Sequence, residues 1–244
     1  MVVIPAGVAT IGSAPNESGR RPEEGPQQEV RFAAPFAVGR YDVSYAEWDA
    51  CVAAGGCNNW RPGDYSWGRG SQPVLFVSWN DARSFVAWLA KETGQHYRLL
   101  SESEWEYVAR ACRDASCRSR TFWFSQNITP ELANYDSAYS YLGSPKASPR
   151  RRTLAVDAAP PNPFGVYHII GNVRQWVADC WNPTLQGLPV DGRARMMGDC
   201  QSHVVRGGSW SDEPAELRAS ARSWDDVNTR SPSIGLRVAR DLTH

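Results

Sequence analysis

The six cysteines are the residues whose type and spacing most clearly indicate chemistry in this 244-residue chain. They form three near pairs along the sequence, namely Cys51 with Cys57, Cys112 with Cys117, and Cys180 with Cys200. Nearest-neighbour pairing would give three disulfides, which persist in oxidising compartments. Free thiols are one alternative, and a metal site is another that the wide spacing and scattered histidines disfavour. We therefore predict three disulfides and a periplasmic or secreted protein.

The segment 209–230 is dense in aromatic and charged side chains. Rings supply contact area and Arg and Asp supply directional hydrogen bonds, so this mixture suits recognition of a small molecule or peptide. The candidate ligand-binding residues are Trp210, Asp212, Glu213, Arg218, Arg222, Trp224 and Asp225. The alternative is structural, in that buried carboxylates would pair with Arg206, Arg222 and Arg237 while Trp176 and Trp210 would pack in the core.

Two catalytic arrangements receive no support from residue spacing. An iron site with two histidines and one carboxylate would need His168 and His203 to converge. A serine triad would need Ser209, His203 and Asp212, but no nucleophile-elbow sequence surrounds the serine.

Composition excludes some classes of partner. The chain has 26 basic and 26 acidic residues, so it lacks the basic excess typical of nucleic-acid binding. No apolar run approaches the roughly 20 residues that span a bilayer. Gly and Pro are frequent and Trp numbers 11, which favours a loop-rich interior filled by large rings.

Helix-start signals position three helices in the first half. Ser44 with Glu47 and Ser101 with Glu104 have capping-box spacing, and Ser78 opens another apolar-faced run. We expect the first helix to end near Ala54 and the second at Gly94. Short strands are predicted at 2–4, 36–38, 74–77, 97–100 and 234–239, and another at 204–210 that the Gly207-Gly208 pair breaks. Turns and short strands follow residue 120, so we expect one continuous α+β domain over residues 1–244.

The order of these segments resembles the formylglycine-generating enzyme (sulfatase-modifying factor) family, a variant of the C-type lectin fold with little regular secondary structure. Matching motifs run from residue 3 to about 240. They include Ser101-Glu102-Ser103-Glu104-Trp105, Gly171-Asn172-Val173, Arg206-Gly207-Gly208-Ser209-Trp210 and Ile234-Gly235-Leu236-Arg237-Val238.

The resemblance implies metal sites that this chain matches poorly. Formylglycine generators hold copper on two cysteines just after the Gly-Gly-Ser motif, but residues 209–222 contain no cysteine, so copper is not expected. One family calcium site would fall on His168 and Gln175, which are poor ligands for a hard cation. The other would begin at Asn134 with the carbonyl of Tyr135, a weak calcium candidate whose alternative is an ordinary turn.

The resemblance leaves two functions open. One is an oxidoreductase similar to the family's pyoverdine-maturing relative, acting on a small molecule or peptide without generating formylglycine. The other is a non-catalytic, lectin-like binding, sensor or display module that uses segment 209–230. Neither function specifies a particular cofactor or ligand.

Overall fold

The structure is a computed structural model that describes residues 1–112 and 120–242. The described residues form three α-helices: α1 (Tyr45–Ala53), α2 (Trp79–Thr93) and α3 (Glu102–Arg110). Each helix begins with a complete capping box, in which a serine hydroxyl accepts from the third helical N–H and the acid at that position accepts from the serine N–H. Gly94 ends α2 in the left-handed conformation. The helix predictions are thereby confirmed.

Ten short strands complete the architecture. They are β1 (Val2–Ile4), β2 (Gly7–Ile11), β3 (Gln28–Phe32), β4 (Phe36–Val38), β5 (Tyr97–Leu99), β6 (Arg174–Trp181), β7 (Asp199–Arg206), β8 (Arg222–Asp226), β9 (Ile234–Leu236) and β10 (Val238–Asp241). They form a sheet β1-β4-β10-β5, a pair β2-β3 and a sheet β8-β7-β6-β9. This mixture of three helices and short strands confirms the α+β class.

Two strand predictions are wrong. Residues 74–77 run without regular structure, because their backbone groups bond to separate partners such as Val43 O and Ser231 O. The predicted strand 234–239 is split at Arg237, so β9 pairs with β6 and β10 pairs with β4 and β5. The side chain of Arg237 is fully buried. It donates hydrogen bonds to Asp42 and to the carbonyls of Gly39 and Tyr167.

Large indole rings hold the irregular segments. Trp48, Trp105 and Trp176 are fully buried, and each indole N–H donates at 2.9 Å to an acceptor outside its own element. Two of these acceptors are the loop carbonyls of Trp60 and Val77. Since buried carbonyls need donors, the rings both fill volume and satisfy loop backbone.

Two of the predicted disulfides are confirmed. Cys51–Cys57 joins α1 to the turn that follows it, and Cys180–Cys200 joins β6 to β7. Cys112 is disulfide-bonded, but its predicted partner Cys117 lies outside the described residues. Disulfides of this kind indicate an oxidising compartment.

Within the ranges 1–112 and 120–242, no helix combines the length and the apolar character that crossing a membrane requires.

Strand β7 packs on α2 through one histidine. The ring of His203 stacks on Trp79 with centroids 3.6 Å apart, and its Nδ1 lies 3.1 Å from the carbonyl oxygen of Ala178. Burial lowers the pKa of His203 to about 4 from an ordinary value of 6.5. The folded protein therefore holds this ring neutral at pH values where the unfolded chain would bind a proton.

Intact mass should report the disulfides. If all three predicted bridges form, reduction adds about six hydrogens, and a digest of the oxidised protein contains Cys112 linked to Cys117. A gain of only about four hydrogens would exclude the third bridge.

The neutral, buried His203 should make the free energy of unfolding depend on pH. Between pH 6.5 and pH 4 the unfolded state binds a proton that the folded state does not, so the free energy of unfolding falls as pH falls. We expect His203→Gln to remove about 2 kcal/mol of this fall, given about 1.36 kcal/mol per pKa unit and partial screening. Urea unfolding at several pH values measures it. The exposed His96→Gln variant serves as the control, and equal pH dependence in the two variants would contradict the assignment.

Candidate functional site

Buried arginines join the C-terminal segment to α3. All nine residues of α3 are buried, including Glu102 and Glu106, so these carboxylates require partners. Arg206 donates to Glu106 Oε2 at 2.6 Å, and Arg222 donates to both oxygens of Glu102 at 2.6 and 2.9 Å. Burial acts to raise the pKa of Glu102, but Arg222 and Arg206 outweigh it and lower the pKa.

The same guanidinium groups fix the backbone of the segment. Arg206 donates to the carbonyls of Ala219, Ser220 and Ala221 at 2.7–3.1 Å. Arg222 also donates to the carbonyls of Glu23 and Asn182. We call these contacts, together with the ion pairs to α3, the arginine network. It determines the path of residues 218–222.

Arg218 and Arg222 are therefore wrong as ligand-binding candidates. Arg218 is only 1% exposed and donates to Glu24 and Glu17 at 2.5–2.8 Å. Arg222 is likewise buried on Glu102. A ligand arriving from solvent cannot reach either group, and the structural alternative is confirmed for Arg206, Arg222 and Arg237. Trp176 is also core, as that alternative held.

The chain reverses direction where β7 ends. Gly207 and Gly208 have φ of +99° and +65°, a region that favours glycine. A Cβ on Gly208 would lie 2.6 Å from Leu217 Cδ1. The turn is fastened to the Gly171–Asn172 turn, because Gly171 N donates to Gly207 O at 2.8 Å and Trp210 N donates to Asn172 O at 3.0 Å. Trp210 and Asp212 are held at the surface as a result.

Asp212 is oriented by two donors. Ser209 Oγ donates to Asp212 Oδ2 at 2.7 Å, and Arg174 Nε donates to the same oxygen at 2.8 Å. Arg174 Nη2 donates to Oδ1. A carboxylate oxygen has about two acceptor sites, so Oδ1 keeps capacity for one more donor. The side chain of Asp212 is 11% exposed.

Trp210, two residues before this carboxylate, is at one end of a row of aromatic rings. Trp210 meets Trp67 edge-on with centroids 5.0 Å apart, Trp67 lies 4.9 Å from Tyr65, and Tyr65 stacks on Phe76 at 5.9 Å. Tyr65 is 56% exposed and the other three are half-buried. We define Tyr65, Trp67, Phe76 and Trp210 as the aromatic face.

Backbone hydrogen bonds and a cation hold the aromatic face in place. Trp210 Nε1 donates to Pro232 O at 3.1 Å, and Trp60 Nε1 donates to Phe76 O at 2.8 Å. The Arg230 guanidinium lies 3.7 Å above the Trp60 ring and donates to Asp81 at 2.7 and 3.0 Å. The face is therefore built from loop residues whose positions are fixed by these contacts.

The remaining candidates divide between two places. Asp225 lies close enough to Arg174 for its charge to act on that guanidinium. Trp224 is the neighbour of Asp225 on β8, and adjacent strand residues point to opposite faces of the sheet. Its side chain is 50% exposed, and its ring centroid lies 6.1 Å from that of Trp181. Glu213 is exposed at the start of a short 3-10 helix, Pro214–Leu217. Trp210, Asp212 and Asp225 thus share one region, whereas Trp224 does not join them.

Sequence reasoning missed most of the aromatic face. Tyr65, Trp67 and Phe76 belong to an irregular segment that follows α1, and Arg174 begins the unpredicted strand β6. The available signal was the density of aromatic residues among glycines and prolines in 60–76. Nothing in the periodicity of that segment shows that it meets residue 210.

The weak calcium candidate has one suitable oxygen. Asn134 is fully buried, its Nδ2 donates to Arg152 O and to Asn172 Oδ1, and its Oδ1 is buried without a hydrogen-bond partner. Tyr135 is buried with its hydroxyl 3.5 Å from Ile128 O. A calcium ligand set at this position stays a prediction.

The other family calcium position does not fit a cation. Gln175 Oε1 accepts from Trp105 Nε1 at 2.9 Å and from Arg237 Nε at 3.2 Å, so a guanidinium already supplies the positive charge. Burial first, and then the charge of Arg237, lowers the pKa of His168 to about 4. The described residues contain no group of three or more His, Cys, Asp or Glu able to hold a metal ion.

The described residues do not bring together the iron site, the serine triad or the copper site considered from the sequence. His168 contacts Ala155 O while His203 contacts Ala178 O, and Ser209 bonds to Asp212 rather than to His203. The segment 209–222 has no cysteine, and Cys51, Cys57, Cys180 and Cys200 are oxidised. These donors do not fit a two-cysteine copper site.

Comparison with known proteins agrees with this architecture. The sequence profile of the sulfatase-modifying factor enzyme 1-like domain matches residues 1–242. The mouse formylglycine-generating enzyme is 28% identical over 301 residues, which cover 99% of this chain and 75% of that protein. Hercynine oxygenase of Mycobacterium tuberculosis is 26% identical over 239 residues, 85% of this chain and 53% of that protein.

Among solved structures, PvdO from Pseudomonas aeruginosa has a TM-score of 0.85 and 37% identity, covering 98% of this chain and 93% of its own. The predicted formylglycine-generating-enzyme variant of the C-type lectin fold is thereby confirmed. The chain belongs to the family of sulfatase-modifying factor enzyme 1-like domains.

Proposed function

We propose that this protein is an oxidoreductase that acts on an aromatic small molecule or an aromatic residue of a peptide, and that it does not generate formylglycine. The observation that carries the proposal is the aromatic face beside Asp212. Four rings contact one another in a row at the surface, and the most exposed of them, Tyr65, is more than half exposed. Rings arranged in this way favour stacking with another ring.

Asp212 would orient the ligand on this face. Both of its oxygens are held by Arg174 and one also by Ser209, so the carboxylate cannot rotate away. The free acceptor capacity of Oδ1 suits a hydroxyl or N–H attached to the ligand's ring. Asp225 adds a second negative group near Arg174. These residues bind and orient, and we assign them no redox step.

The oxidative part of the proposal rests on the relatives. Two of them are named as a formylglycine-generating enzyme and an oxygenase, and the match to PvdO extends over nearly the whole of both chains. The absence of cysteine from 209–222 argues against formylglycine generation. An oxidation here would need a redox partner other than a two-cysteine copper site.

A non-catalytic binding module is the second candidate. It is favoured by the internal use of the charged groups, since Asp212 is engaged by Arg174 and Arg218 and Arg222 are buried in ion pairs. In this alternative the aromatic face and the exposed Glu213 would form the ligand surface of a sensor or display domain.

The proposal also covers the cellular compartment of the protein and the residues that its domain spans. The disulfides favour a periplasmic or secreted location over a reducing one. The family match over residues 1–242 supports one domain across residues 1–244.

Calorimetric binding and oxygen uptake test the proposal with 4-methylcatechol as the probe. We expect Trp67→Ala and Trp210→Ala each to weaken binding by about tenfold, because an aromatic contact contributes roughly 0.5–1.5 kcal/mol beyond its buried area. The control is Tyr139→Ala, which removes a 47% exposed ring outside the face. Oxygen uptake and bound redox metals are measured on the same samples.

The outcomes separate the two candidates. Uptake that falls in both tryptophan variants and persists in the control supports the enzyme. Binding to the face with no uptake and no bound redox metal supports the binding module. Equal binding by all four proteins would contradict a ligand site on the aromatic face.

A further inference from the structure

A cavity of about 670 Å³ lies where α1 and α2 meet the β1-β4-β10-β5 sheet. Its apolar walls include Tyr41, Ala50, Phe85, Trp88, Leu89 and Tyr97. It shares no lining residue with the aromatic face. A volume of this size, with mostly aromatic and aliphatic walls, suits a small organic ligand.

One wall of the cavity is held rigidly. The Trp88 ring lies against Gly56, where an added Cβ would meet Trp88 Cδ1 and Cys51 Sγ, each at 2.8 Å. The Cys51–Cys57 disulfide closes the turn that contains Gly56, and the Phe85 ring also contacts Trp88, with centroids 5.5 Å apart. Trp88 is thus a fixed aromatic surface that a ligand can contact without first ordering it.

The two charged side chains that line the cavity differ in their partners. Arg40 lines it, is exposed, and has no ion-pair partner in the described part of the chain. The acid that also lines it, Glu47, already accepts from Ser44 N and Ser44 Oγ at 2.8 Å each. Glu47 Oε2 is therefore oriented by the cap of α1, whereas the Arg40 guanidinium makes no ion pair with a described residue.

A second cation lies next to the same wall. Arg240 is two residues after Val238, which lines the cavity, so both side chains project from the same face of β10. Its guanidinium lies 5.9 Å from the centroid of the Tyr97 ring, and its Nε is buried without a hydrogen-bond partner. Guanidinium groups that make no ion pair with a described residue can hold the anionic group of a ligand.

We propose that this cavity is a second binding site, which takes a flat aromatic molecule carrying a carboxylate or a similar anionic group. The ring of the ligand lies against Trp88 and Leu89, and its anionic group faces Arg40. The site is separate from the aromatic face, so its occupancy does not depend on the function proposed above.

Indole-3-acetate and tryptamine test this proposal, since they share a ring and carry opposite charges. Isothermal titration of the full chain should show binding of indole-3-acetate at least about tenfold tighter than that of tryptamine. Ala50→Trp fills the cavity from α1, and we expect it to weaken indole-3-acetate binding by at least about tenfold. The control is Ala87→Trp, which adds the same ring to an exposed α2 position outside the cavity and should change affinity by less than about twofold.

Arg40→Gln keeps the proposal testable if Ala50→Trp does not fold. This substitution at an exposed position should reduce the affinity for indole-3-acetate by about fivefold or more. It should change the affinity for tryptamine by less than about twofold. The proposal is overturned if the wild type binds neither probe, if Ala50→Trp and Ala87→Trp bind alike, or if Arg40→Gln keeps full affinity for the anion.

Discussion

The arginine network is the interaction on which the rest of the structure depends. It joins residues 100 and 120 positions apart, since Arg206 meets Glu106 and Arg222 meets Glu102 of α3. All four side chains are buried. Removing one partner of a buried pair typically costs about 3–5 kcal/mol, because the other charge is left without compensation. Loss of any one of these four side chains is therefore expected to destabilise the contact between α3 and the C-terminal segment.

This constraint allows function to reside in loops. The C-terminal segment has little regular structure, yet its backbone carbonyls at 219–221 are held by Arg206 and its turn at Gly207–Gly208 is fastened to Gly171 and Asn172. Trp210 and Asp212 consequently have defined positions before any ligand arrives. A preformed site loses less entropy on binding than one that must be ordered. The family relationship fits this design, because one scaffold can carry different chemistry on its loops.

The sequence predicted local structure better than it predicted the site. Helices followed from capping boxes at Ser44 and Ser101, which are short-range signals. Arg218 and Arg222 were misassigned because a charged side chain gives the same sequence signal whether it faces solvent or a buried acid such as Glu24, nearly 200 residues away. The aromatic face was missed for a similar reason, since Trp67 and Trp210 meet only through the tertiary fold.

Hydrogen exchange of residues 219–226 in Glu102→Gln tests the central claim most directly. The substitution lies in α3, so any change in the distant segment must pass through the arginine network. Asp191→Asn is the matched control, because Asp191 pairs with Arg193 on the exposed surface. We predict that amides of 219–226 exchange at least about tenfold faster in Glu102→Gln, and at the wild-type rate in the control. Exchange of that segment at the same rate in both variants would contradict it.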